Sequence, residues 1–203
     1  MSANLLSAVI AAVQSGNAAP AYLGSFPVEP IDERRAQSMA QDRRLFNEHT
    51  DDDWGLRGGR HRGDEATQAK TWADGCLGEA VIGRLLRSNG NKALRLSPPV
   101  EWVPSNEPDL VFSGSTHFRA DIKSSNYRRG TSTSWTVNES AHHKAEVDGY
   151  LAADLADKGQ VHVFWYPKAA VDKGDLLTRR VTRAGKTEES RFFRLFFPTK
   201  PQI

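Results

Sequence analysis

The run Val161-His162-Val163-Phe164-Trp165-Tyr166 constrains the fold more than any other stretch of this chain. It is almost continuously apolar, β-branched and aromatic. Such a run is typical of a strand buried on both faces. A chain of 203 residues is long enough to bury it in one domain with a real core. The make-up is ordinary for a soluble globular protein, at 38% apolar and 26% charged residues. The formal net charge of +2 does not by itself announce a nucleic-acid binder, so what counts is whether the cations cluster.

Elements follow from periodicity. The opening MSANLLSAVIAAVQSG lacks a basic leader, and Leu5, Leu6, Val9, Ile10 and Val13 recur at helical spacing. This predicts an amphipathic helix docked on the body or on a second subunit. A Pro- and Gly-bearing connection covers 16–30, and a charged helix 32–47. Residues 50–65 are acidic, then rich in glycine and arginine. They form either a solvated linker or a phosphate-contacting loop through Arg57, Arg60 and Arg62. A helix over 67–88 ends at Ser88-Asn89-Gly90, a C-cap signal. Its stripe includes the single cysteine, Cys76, read as a buried thiol. A short strand is expected over 93–96, a hairpin over 109–123, then a polar loop. A second long helix is expected over 139–158, closed by Gly159. The apolar strand follows, and a last hairpin spans 176–197 with its turn around 184–189. The fold class is therefore α/β, a mixed central sheet flanked by helices. Residues 1–66 form an N-terminal helical extension with a basic loop, and 67–203 the core with a C-terminal hairpin.

The hairpin brings chemistry together. With Gly114-Ser115-Thr116 as a three-residue turn, Phe112 faces Phe118 and Leu110 faces Ala120. The same register sets Asp109 opposite Asp121, their Cβ atoms about 5 Å apart. Two anions so close repel, and a hard cation such as Mg²⁺ resolves the repulsion. Lys123 shares the face of Asp121. Its ammonium can offset the negative charge, orient an attacking water or stabilise developing charge. The plain alternative is a solvated strand, with Asp109 a turn residue after Pro108.

Pro108-Asp109, Asp121-Ile122-Lys123 and Glu79 in the preceding helix together resemble the PD-(D/E)XK nuclease superfamily. The resemblance covers about half the chain and implies an αβββαβ core of the restriction-endonuclease type. It implies that Asp109, Asp121 and Glu79 bind metal, that Ile122 lends its backbone carbonyl, and that Lys123 is the catalytic lysine. Glu79 otherwise is a surface glutamate, although its neighbours Leu77, Ala80 and Val81 are apolar.

The implied activity is a Mg²⁺-dependent deoxyribonuclease, an endonuclease, with Mn²⁺ able to substitute. The alternatives are a binding module on the same fold without catalysis, an exonuclease or a junction resolvase. DNA is the expected partner. Arg128 and Arg129 follow Lys123 closely, and Lys144 with His142 and His143 opens the expected second core helix. The two arginines are expected near the scissile phosphate, and one of His142, His143 and Lys144 contacts phosphate or metal, or all three are simply exposed. The tail cations Arg179, Arg180, Arg183, Lys186, Arg191, Arg194 and Lys200 form a further basic cluster. A homodimer is expected, because one active site per chain cuts one strand. No apolar run is long enough to cross a bilayer, and the lone cysteine suits a reducing cytoplasm.

Overall fold

The computed structural model describes residues 4–49, 65–88, 90–96, 108–125, 128–129, 132–183 and 186–200. Helix α1 (Leu5–Gln14) is followed by β1 (Ala21–Pro27), α2 (Pro30–His49) and α3 (Glu65–Arg87). Strands β2 (Leu94–Leu96), β3 (Leu110–Ser113), β4 (His117–Ser125), β5 (Arg128–Arg129) and β6 (Ser132–Asn138) come next. A short helix α4 (Glu139–Lys144) leads into β7 (Gly149–Asp154) and β8 (Gln160–Pro167). The chain closes with α5 (Lys168–Val171), β9 (Asp175–Arg183) and β10 (Lys186–Phe196).

Six strands form one mixed sheet in the order β1-β8-β7-β4-β3-β2. Among the described residues, only the β4–β7 pair of this sheet is parallel. A second sheet, β5-β6-β10-β9, is antiparallel. The alternation of β4 and β7 divides the core. Phe118, Ala120, Ile122, Leu151 and Ala153 face the helices, packing with Leu5, Leu6 and Val9 of α1 and Val81, Ile82 and Leu86 of α3. Tyr150 and Ala152 face the other way, with Phe164 and Tyr166 of β8. They meet Trp135 and Val137 of β6 and Phe193 and Leu195 of β10. Strand β8 is therefore covered on both sides, as its apolar run requires. Helix α2 packs on α3 through Ala36, Met39 and Ala40 against Cys76 and Ala80, and Cys76 is a buried thiol.

The hairpin register is the expected one. Leu110 pairs with Ala120, and Phe112 with Phe118, their rings 5.4 Å apart. The C-terminal hairpin is also present, with Phe192 opposite Leu177 and Phe193 opposite Leu176, but residues 186–189, expected in its turn, pair with 180–183 in the ladder.

Three expectations are corrected. The long helix over 139–158 is only α4, and Gly149–Asp154 is a strand whose every residue is buried. Burial on two faces overrides the helix preference of Leu151, Ala152 and Ala153. Gly149 is required there, since a Cβ would lie 2.5 Å from the Tyr166 carbonyl oxygen. Gly159, at φ 76°, serves the β7–β8 turn rather than a helix end. The apolar strand 161–166 consequently lies one place further from β4, with β7 between. Residues 21–27, expected as connection, form edge strand β1 beside β8. Part of the polar loop after Lys123 forms β5 and β6.

Candidate active site

The candidate site begins where the β3–β4 ladder ends. Leu110 and Ala120 are its last pair, so Ile122 lies opposite Pro108, beyond the ladder. The Ile122 N–H donates instead to Asp109 Oδ2, at 2.7 Å. A buried amide left unpaired is costly, and this bond satisfies it while turning Asp109 towards β4. Asp121 and Lys123 lie on the β4 face opposite buried Ile122. Lys123 Nζ donates to Asp121 Oδ2 at 3.3 Å, and both side chains are partly exposed, 33% and 21%.

Glu79 arrives from α3. A Cβ at Gly78 would fall 2.5 Å from Ser124 Cβ and 2.7 Å from Ala153 Cβ, so α3 presses closely on β4 and β7 here. Ser124 Oγ also donates to the Gly75 carbonyl. The residue after Gly78 is thereby carried towards the end of β4. Burial alone pushes the Lys123 ammonium below its ordinary value. The charges of Asp121, then Asp109, then Glu79 outweigh burial and hold it above that value. Asp121, Asp109 and Glu79 are thus each within electrostatic reach of Lys123, which is a fixed cation at neutral pH rather than a base.

The donors around Lys123 are all carboxylate oxygens, a set that suits a hard ion such as Mg²⁺. Glu79, Asp109 and Asp121 do not close into a tight trio. Among the described residues, the group whose ligand atoms all lie within 4.8 Å of one another is His142, His143 and Asp172. An open carboxylate arrangement fits an ion that keeps several waters and takes one or two protein ligands. Ile122 provides the amide that positions Asp109, and its side chain is buried.

A second polar cluster borders the first. Tyr150 pairs with Asp121 across the parallel strands. Its hydroxyl and His142 Nδ1 are 2.7 Å apart, and His142 Nε2 lies 3.0 Å from Asp172 Oδ1. Burial raises the Tyr150 hydroxyl, and the charges of Asp121 and then Asp172 raise it further, so it stays protonated. Burial lowers His142 despite its bond to Asp172. Sequence reasoning singled out His142 and His143 but missed Tyr150 and Asp172, which come from separate elements and share no spacing pattern.

The expected phosphate contacts fare unevenly. Arg57, Arg60 and Arg62 lie outside the described residues. Arg128 and Arg129 form β5, whose partners are Thr133 and Ser132. Ser125 Oγ donates to the Ser134 carbonyl, tying the end of β4 to β6. Lys144 is exposed at the end of α4. In the tail, Arg191 pairs with Glu139, Arg194 with Asp175, and Lys200 with Asp154 and Asp157. These three cations are thus engaged within the protein. No protein-family model, curated protein or solved structure matches this chain.

Proposed function

We propose that this chain is a divalent-metal-dependent deoxyribonuclease, an endonuclease, with a core of the PD-(D/E)XK kind. The observation that carries the reading is the Lys123 ammonium bonded to Asp121 at 3.3 Å, beside Asp109 bound to the Ile122 amide, with the charges of Asp109 and Glu79 also reaching it. A folded protein has little reason to bring the charges of three carboxylates to bear on one partly exposed lysine. A phosphodiesterase has one, because charge develops on phosphoryl oxygens as the bond breaks.

Asp121 and Asp109 would hold the ion, with Glu79 taking a ligand water or a second position. The ion supplies Lewis-acid polarisation of the phosphodiester. Lys123 stays protonated, orients the attacking water and meets the developing charge. Asp109 holds the hairpin end through the Ile122 amide. Arg128 and Arg129 grip the backbone beside the scissile bond.

The test incubates tag-free protein with supercoiled plasmid, linear duplex and single-stranded DNA, in Mg²⁺, Mn²⁺ or EDTA. Cleavage of plasmid in Mg²⁺ or Mn²⁺ and none in EDTA is expected, and Asp121→Asn should abolish it. Retained binding without cutting in any metal would instead favour a nucleic-acid-binding module.

A further inference from the structure

We propose that His142, His143 and Asp172 form a second metal site, for a transition ion of the zinc class, with Tyr150 as the outer partner of His142. The donor atoms of the three residues lie within 4.8 Å of one another. His142 Nε2 and Asp172 Oδ1 are already 3.0 Å apart. Two ligands on a tetrahedral ion with bonds of about 2.1 Å are separated by roughly 3.4 Å. Small adjustments on the exposed His143 and Asp172 side chains therefore suffice. Imidazole nitrogens select zinc, cobalt or nickel over magnesium, so this site and the all-oxygen carboxylate site would sort different ions.

The surroundings are built as an outer shell. A metal-binding histidine donates its other ring N–H to an oxygen, which fixes the tautomer and the ring. His142 is fully buried, and its Nδ1 lies 2.7 Å from the Tyr150 hydroxyl. When Nε2 binds the ion, the single ring proton moves to Nδ1 and is donated to Tyr150 Oη. No proton is lost from a neutral ring. Phe193 orients both imidazoles, edge-on to His142 at 5.3 Å and to His143 at 6.0 Å. Two protein ligands come from α4 and the third from Asp172, the C-cap of α5. The ion would pin the crossover into β7 to the turn before β9, with a water completing four-coordination.

The experiment titrates tag-free full-length protein with Zn²⁺, and with Co²⁺ while following its visible absorption. It is run on the wild type and in an Asp121→Asn background, so that ions at the carboxylates are not counted. One ion per chain is expected in the Asp121→Asn background and at least one in the wild type, with the intense Co²⁺ bands of a tetrahedral site in both. His143→Ala and Asp172→Asn, both at exposed positions, should each weaken binding at least tenfold. Tyr150→Phe should weaken it by about 10–100-fold. Circular dichroism checks that each variant is folded. The absence of saturable binding would overturn the proposal, as would wild-type affinity in His143→Ala and Asp172→Asn. Binding lost in Asp121→Asn but kept in His143→Ala would assign the ion to the carboxylates instead. None of these readouts depends on DNA cleavage, so the site stands or falls apart from the proposed function.

Discussion

In the proposed nuclease, Lys123 is the residue whose chemistry would separate cutting from binding. It is held charged by three carboxylates, so removing it deletes a positioned cation rather than a base. Lys123→Ala should reduce cleavage by about 10²–10³, the loss seen when one preorganised electrostatic group is removed. DNA affinity measured in Ca²⁺ should stay within a few-fold of wild type. Cleavage at the wild-type rate would make Lys123 a structural counter-ion to Asp121 and nothing more. The same residues show why part of the site was legible in sequence. Asp109, Asp121 and Lys123 follow from a register that Phe112, Phe118, Leu110 and Ala120 enforce, because a one-residue slip would expose all four. Tyr150 and Asp172 were not legible. Their relation to His142 depends on β7 lying beside β4 and on the end of α5 bringing Asp172 to His142, and neither is a local property.

Among the elements, α3 is the one whose placement decides whether Glu79 belongs to the site. Its approach to the sheet depends on Gly78, since a Cβ would meet Ser124 and Ala153 at under 3 Å. Gly78→Ala forces backbone apart in a packed core, so it should cost about 1–3 kcal/mol. It should also lower cleavage by withdrawing Glu79. Thermal melts and cleavage assays check both, and a variant as stable and active as wild type would refute the close packing. The tail after β10 is fixed differently, by Lys200 bridging Asp154 and Asp157 at 3.1 and 2.7 Å. The hydrogen bond from Lys200 holds Asp157 below the ordinary carboxylate value. Burial opposes the charge on Lys200, but its carboxylate partners raise it. A depressed carboxylate stabilises above its unfolded value, about 3.9, and that gain is lost as pH falls through the folded value. A raised lysine stabilises below about 10.4, and its gain is lost as pH rises further. Lys200→Met should therefore lower the melting temperature by a few degrees at pH 7, with the gap closing below about pH 4. A gap unchanged at pH 2.5 would show that packing, not charge, holds the tail. Elements were legible where one face is apolar, as in α1, α3 and the two hairpins. They were not where both faces are buried, as in Gly149–Asp154, whose alanines read as helix. Nor were they legible at an edge, as in Ala21–Pro27, where Gly24 and Pro27 read as turn.

At the scale of the whole molecule, a net charge of +2 leaves no general attraction for a polyanion. The affinity for DNA that the proposed function requires would have to come from local cations placed near the site. Arg191, Arg194 and Lys200 are already paired with carboxylates. Arg128 and Arg129 occupy β5, on the sheet that covers the Tyr150 side of the core, and β6 is tied back to Ser125 two residues past Lys123. Strand β5 is thus joined, through β6, to the sheet that packs against β4. If these arginines contact phosphates, replacing both with alanine should weaken binding for every sequence tested. The slope of log affinity against log salt should flatten by about one unit for each phosphate no longer neutralised. The rate of cutting within the bound complex should change little, because the proposal gives both arginines a role in binding and none in the chemistry. Lys123→Ala should show the reverse, a slow reaction in a complex of normal affinity. A plain basic patch would make all three substitutions behave alike, with affinity and cleavage falling together. That result would move the protein from nuclease to binding module while leaving the fold, and the histidine metal site, as described.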